Sequence, residues 1–430
     1  LDGTMTWKES SGLSLWDRRS FLTVSAGSLA AMKTRHGMAM STEEDPLGVR
    51  GEFPAAENQT FLNTAWVGPI PQVARNAGVA YADETLIWAD SRSRLDEKEL
   101  ARTEFADLFG AKAEEVALLF TTADGEAIVV NGLDLKPGDN IVVDALHYTG
   151  TFSHLMYLQD HYGIELRVVP HRDGRIHVED FESAIDARTR LVSVAWVNNR
   201  NGFRIDLEKL VALAHAKGTL VYADVVQGLG TCPVNLTDLG VDFACAAAHK
   251  WLFGGYGVAG FFIREEHLDR IRPDRWGHGQ VLQTRTPTGW VTGLPAGRFP
   301  ELEFRHRVNA DKYEYSCLAY GAVAQLAASL GLLKQVGLAD IEAHTMPLAR
   351  ELRAGIADLG FSVWTPEGNQ APIVSFVHRQ DITELTRQLT EARISVSFRE
   401  HDRALMRVSV SLFNNRRDVQ RLLDFLKPLA

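Results

Sequence analysis

Apolar residues fall in short unbroken runs separated by stretches of helical period. The runs at 116–120, 141–143, 191–197, 219–224, 241–248 and 258–263 are bounded by Gly, Pro, Asn and Asp clusters and read as buried strands. Between them, 71–109 mixes charges with periodic apolar residues, and 207–217 and 321–333 carry helical patterns. Strand–helix alternation of this kind predicts an α/β fold built on a mostly parallel, doubly wound sheet. From about Gly337 the pattern becomes α+β, with helices at 341–359 and 382–392 and strand-like runs at 373–377, 394–397 and 405–415. The expected division is an N-terminal segment 1–45, a large domain 46–330 and a smaller α+β C-terminal domain 331–430. The stretch 272–300, rich in Thr, Pro and Gly, reads as a long loop.

Composition narrows the partners. The chain has 430 residues and a formal charge of −10, which argues against nucleic acid and for solubility. Cys232, Cys245 and Cys317 show neither metal-ligand spacing nor a disulfide framework. No apolar run is long enough to cross a bilayer. A small-molecule partner is expected, with no metal, nucleic acid or membrane. The first residues differ from the rest. Leu1 to Thr4 read as a start-site remnant before Met5, and Arg18-Arg19-Ser20-Phe21-Leu22 precedes a small, mildly apolar stretch. That pattern resembles a twin-arginine export signal. A surface amphipathic helix carrying two arginines explains it equally well, so location stands open between cytoplasm and export.

The chemistry gathers on Lys250, set between the runs 241–248 and 258–263. Burial there lowers the pKa of an amine toward that of a usable nucleophile, as a Schiff-base lysine requires. Upstream, Asp224 closes a strongly apolar strand at its carboxyl end, the edge where open α/β sheets bind ligands. A carboxylate to partner a pyridinium nitrogen and a lysine to hold an aldehyde suit pyridoxal 5'-phosphate. Asp224-Val225-Val226-Gln227 followed by His249-Lys250 resembles the aminotransferase class V family of pyridoxal-phosphate enzymes, of fold type I. The resemblance runs from about Phe61 to the C-terminus, and the His-Lys-Trp form places it nearest the isopenicillin N epimerase-like and C–S lyase branches.

The resemblance implies roles residue by residue. Thr122, Ala123, Asp124 and Gly125 match the turn whose backbone N–H groups cradle the cofactor phosphate. Asp124 departs from the family's Ser or Thr there, and its charge suits a phosphate only if it points away; it could equally be a helix N-cap. His147 matches a histidine that stacks on the pyridine ring and assists proton transfer, beside Lys250 and Asp224 as catalytic residues. Asn199, with Asn198 as its rival, and Gln227 match contacts to the phenolic oxygen, and His249 one to the phosphate. Arg407 matches the arginine that grips the substrate carboxylate, and Asn63 and Trp66 line the substrate pocket. The stretch 313–320 resembles a segment that reaches the partner subunit's phosphate, with Ser316-Cys317 in place of Gly-Thr, and implies a homodimer. Cysteine desulfurases carry a nucleophilic cysteine shortly before the arginine, and 397–406 holds none. A transferase or C–S lyase acting on an amino acid is expected, with an epimerase, or a non-catalytic binding protein on the same scaffold, as the alternatives.

Overall fold

All six apolar runs of the first two-thirds of the chain become strands of one seven-stranded sheet. The computed structural model describes residues 44–89, 94–285, 303–400 and 403–430; the segment carrying Arg18-Arg19 lies outside them. Helices α1 (Gln72–Trp88) and α2 (Arg94–Phe109) lead to β1 (Val116–Leu119) and α3 (Thr122–Gly132). There follow β2 (Asn140–Asp144), α4 (Thr149–Tyr162), β3 (Glu165–Val169), β4 (Thr189–Ala195), α5 (Leu207–Ala216), β5 (Leu220–Asp224), β6 (Phe243–Ala247) and β7 (Ala259–Ile263). The sheet order is β1-β7-β6-β5-β4-β2-β3, parallel except where β7 runs against both of its neighbours.

Side chains alternate across a strand, so each apolar run feeds two cores. Val142, Val192, Val221 and Phe262 face one core, under α2, α5 and α6 (Tyr320–Val336); Val143, Leu191, Tyr222 and Phe261 face the other, under α3 and α4. Each fully buried Phe is worth about 1.5–3 kcal/mol. The seventh strand, β3, left no apolar run in the sequence. It is an edge strand, Glu-Leu-Arg-Val-Val, with only Val169 buried.

The C-terminal part comprises α7 (Leu338–Asp358) and an antiparallel sheet of β8 (Ile373–Val377), β9 (Ser397–Glu400) and β10 (Ala404–Ser409) in the order β8-β10-β9, closed by α8 (Arg416–Leu426). Residues 46–63, expected with the large unit, contribute Val49, Phe53, Ala56 and Phe61 to its core and also contact the small unit. Arg50 pairs with Asp418 at 2.8 Å, Thr60–Phe61 lies parallel to Ile394–Ser395, and Leu62 is buried in the small core. The stretch 272–300, expected as loop, includes the strand Val281–Arg285, which pairs antiparallel with Glu303–His306.

Candidate active site

Strands β5 and β6 are parallel, so their carboxyl ends share one edge of the sheet, and Asp224 and the turn bearing Lys250 meet there. A strap formed by residues 63–68 holds that turn from outside. The Gly68 N–H donates to the His249 carbonyl at 2.8 Å, and a Cβ at Gly68 would collide with the Lys250 carbonyl oxygen. Burial pushes the Lys250 amine down to about 8. Asp224 opposes that shift, and Arg407 and Arg399 add to it. Asp224 accepts from the Val226 N–H at 2.9 Å; burial raises its pKa and the Lys250 charge pulls it back.

Gln227 acts as a bracket. Its Nε2 donates to the Ala65 carbonyl at 3.0 Å, and its Oε1 accepts from the Trp251 indole N–H at 2.8 Å. Its carbonyl and one amide hydrogen are thus committed to joining the strap to the lysine turn, which leaves the second amide hydrogen for the expected contact to a cofactor oxygen.

Beneath Asp224 lies a saturated polar floor. Glu126, on α3, accepts from Thr151 Oγ1 at 2.8 Å and from Ser193 Oγ at 2.9 Å; burial pushes its carboxyl up to about 7. Asp144 accepts from the Leu146 and Ala195 N–H groups, and burial raises it to about 7 as well. His147 belongs to this floor. Its Nδ1 accepts from the Tyr148 N–H at 2.7 Å, its Nε2 faces Ser193 Oγ at 3.2 Å, and burial lowers it to about 3. With 1% of its surface exposed, His147 offers no ring face for stacking. The ring that faces Lys250 is the next one: Tyr148 is 51% exposed, with the Lys250 Nζ 6.0 Å from its centroid. A turn closed by the His147 N–H on the Asp144 carbonyl sends residue 147 inward and 148 outward.

Helix α3 starts three residues earlier than an Asp124 cap would require. Thr121 is the N-cap, its Oγ1 accepting from the Asp124 N–H, while Asp124 returns a bond to the Thr121 N–H. The second oxygen of Asp124 pairs with Arg275 at 2.5 Å, so its charge is turned away and neutralised. Gly125 serves packing, since a Cβ there would meet Cys245 Sγ at 2.9 Å. Of the four expected backbone donors, Thr122 and Ala123 occupy the first two helical positions, whose N–H groups have no intrahelical acceptor. His249 stacks on Tyr256 at 4.4 Å, and burial beside Lys250 lowers it to about 4.

The wall facing the lysine comes from the small sheet and the loop after β4. Arg407 is 1% exposed; its Nε donates to Ser397 Oγ at 3.1 Å and its Nη1 to the Asn199 carbonyl at 2.6 Å. Its Nη2 is buried without a partner, as are Asn199 Oδ1 and Asn63 Oδ1. Asn198, the rival of Asn199, is consumed by the turn: it donates to the Leu146 carbonyl and accepts from the Arg200 and Asn201 N–H groups. Trp66 stands open, 55% exposed, beneath the Arg399 guanidinium.

Comparison with known proteins assigns this arrangement. The sequence model of the family "Aminotransferase class-V" matches residues 92–422. The chain belongs to the aminotransferase class-V family. It is 24% identical to an uncharacterized aminotransferase of Bacillus subtilis (strain 168), YcbU, over 89% of this chain and 97% of that one. It is 25% identical to a probable cysteine desulfurase of Methanothermobacter thermautotrophicus, over 91% and 98%. The structure of the cystine C–S lyase C-DES, in complex with its reaction product cysteine persulfide, superposes with a TM-score of 0.78 at 22% identity, covering 88% of this chain and 100% of that one. The fold is that of the pyridoxal-phosphate enzymes of fold type I.

As a class-V protein the chain is a pyridoxal-phosphate-dependent enzyme. The site fits that cofactor on its own chemistry: a desolvated amine, a buried carboxylate in range of its charge, two helix-start N–H groups and buried polar atoms awaiting partners. Tyr148, Arg399 and the floor of Glu126, Ser193 and Thr151 escaped the sequence reading. Only Tyr148 left a signal there, as the aromatic neighbour of His147.

Proposed function

We propose that the enzyme is a lyase that breaks a bond at the β-carbon of an α-amino acid, in the manner of a C–S lyase. One observation carries the reading: the Lys250 amine, poised near neutrality, lies between a buried acid, Asp224, and an arginine, Arg407, whose buried Nη2 has no partner. Bound against Asp224, pyridoxal phosphate supplies an aldehyde for amines and a ring that draws electrons from the α-carbon. The residues of the chain do the rest. Thr122 and Ala123 N–H groups, with His249, hold the phosphate, Tyr148 stacks on the ring, and Asn199 meets the phenolic oxygen. Arg407 takes the substrate carboxylate on its fork and so orients the α-carbon. Lys250, half neutral at about pH 8, removes the α-proton.

A nucleophilic thiol at the position cysteine desulfurases use does not fit. Cys232 and Cys245 are buried with their thiols pushed up by burial, and 397–406 contains no cysteine. The leaving sulfur therefore departs with its own fragment. Incubating the holoenzyme with cysteine, cystine and S-alkylcysteines should release pyruvate and ammonia. Alanine, an epimerised amino acid, or a keto acid that keeps its β-substituent would each refute the lyase reading.

The working unit in this proposal is a homodimer. Leu86, Ile87 and Trp88 are exposed together at the end of α1, and Ser316 and Cys317 lie open on the segment expected to cross over. Light scattering at assay concentration should give twice the chain mass; an active monomer would refute it.

A further inference from the structure

Arg407 has a companion cation beside the amine. Arg399 lies on β9 two residues beyond Ser397, and Ser397 is the direct partner of Arg407 across the β9–β10 pair. Because side chains alternate along a strand, Arg399 and Arg407 project from the same face as diagonal neighbours, a relation that spans about 7–8 Å. The Arg399 guanidinium lies 4.9 Å from the centroid of the Trp66 ring, which holds it by cation–π attraction over an open indole. Its Nη1 donates to the Phe398 carbonyl at 2.7 Å. Among the described residues, no carboxylate forms an ion pair with it. Both guanidinium groups act on Lys250, so three cations converge on a space that holds one acid, Asp224. The α-carboxylate of a substrate answers Arg407 alone. A second half-buried guanidinium beside it is costly unless another anion joins it.

We propose that Arg399, carried on Trp66, determines specificity for the far end of the substrate, and that the site takes α-amino acids ending in a second acid group. The inference rests on the carboxylate site at Arg407 and adds the chemical class of the side chain. Trp66 is then a positioning residue, because it fixes the height of the fork without touching the acid.

Dicarboxylates without an amine isolate the two anion sites from the lysine. Calorimetric titration of the holoenzyme with succinate and with butyrate should show succinate bound about tenfold to a hundredfold more tightly. Arg399→Met should erase that preference and leave butyrate unchanged, and Arg399→Lys should restore part of it. Arg407→Met should weaken both ligands. Equal affinities in the unaltered enzyme, or a succinate preference that survives Arg399→Met, would overturn the proposal and make Arg399 a structural partner of Trp66. If Arg407→Met changes neither ligand, the carboxylate site itself is misassigned and the second-acid reading falls with it.

Discussion

The floor and the wall of the site are built on opposite terms. In the floor, both oxygens of Glu126 and of Asp144 accept hydrogen bonds, and both ring nitrogens of His147 have neighbours. In the wall, Arg407 Nη2, Asn199 Oδ1 and Asn63 Oδ1 are buried and unpaired. A saturated network has little to gain from a ligand and resists rearrangement. An unsaturated one carries a desolvation cost that a matching ligand removes. In the proposed mechanism the floor supports geometry and the wall recognises. Asp224 and Lys250 stand at the boundary, which is where a reacting atom belongs.

Changes at that boundary should have the largest effect. Lys250→Ala should abolish turnover, and borohydride reduction followed by digestion should find no pyridoxyl mass on residue 250. The same label on another lysine of the unaltered enzyme would remove Lys250 from its role. Asp224→Ala should slow α-proton exchange by about 10²–10³-fold, the scale of other charge-stabilising groups at reacting centres. Near-normal exchange, followed by NMR in deuterium oxide, would count against a carboxylate at the boundary.

Changes in the wall should act on binding. Arg407→Ala should cost the substrate about 2–5 kcal/mol, read as a rise in KM, and Arg407→Lys should recover little because it lacks the fork. Cofactor attachment should survive both. Milder still is a pH effect. The Lys250 amine sits at about 8, so uptake of pyridoxal phosphate by the apoenzyme should rise with pH through that value and level off above it. Arg399→Met removes a repelling charge and should move the midpoint upward. An unmoved midpoint would place Arg399 farther from the amine than the wall requires.

The smallest effect should come from the floor. Folded Glu126 holds its proton up to about 7, well above an ordinary glutamate at 4.5. Its contribution to stability is therefore full below about 4.5 and is lost as pH rises through about 7. Glu126→Gln should gain in Tm on the unaltered protein between pH 5 and pH 8, with KM unmoved. A constant Tm difference across that range would show that Glu126 is ionised throughout.

Much of this was legible in the sequence, for a physical reason. Buried parallel strands must be apolar on both faces, so β1, β2, β4, β5, β6 and β7 announced themselves, and Lys250 and Asp224 stood out as charges at their ends. β3 did not, because an edge strand such as Glu165–Val169 needs no apolar run. The sequence points to His147 as the stacking ring in place of Tyr148, since one residue of turn decides which side chain faces inward. The same limit hid Arg399. Its pairing with the Arg407 face depends on the register of a hairpin, and that is a property of the fold, not of residue type. The bracket formed by Gln227 went unseen because its partners, Ala65 and Trp251, lie 162 and 24 residues away.

One feature links the two units mechanically. Asn63 bridges to Ser409, two residues past Arg407, and the Ala65 N–H donates to Ser409 Oγ at 3.0 Å; five residues after Asn63, Gly68 is fastened to the backbone beside Lys250. The strap from 63 to 68 therefore resembles the jaw of a calliper, running from the strand of Arg407 to the turn of Lys250. In the proposed site that piece of main chain sets the distance between amine and fork, and Gly68→Ala, whose Cβ would press on the Lys250 carbonyl oxygen, should displace the lysine turn without touching Arg407.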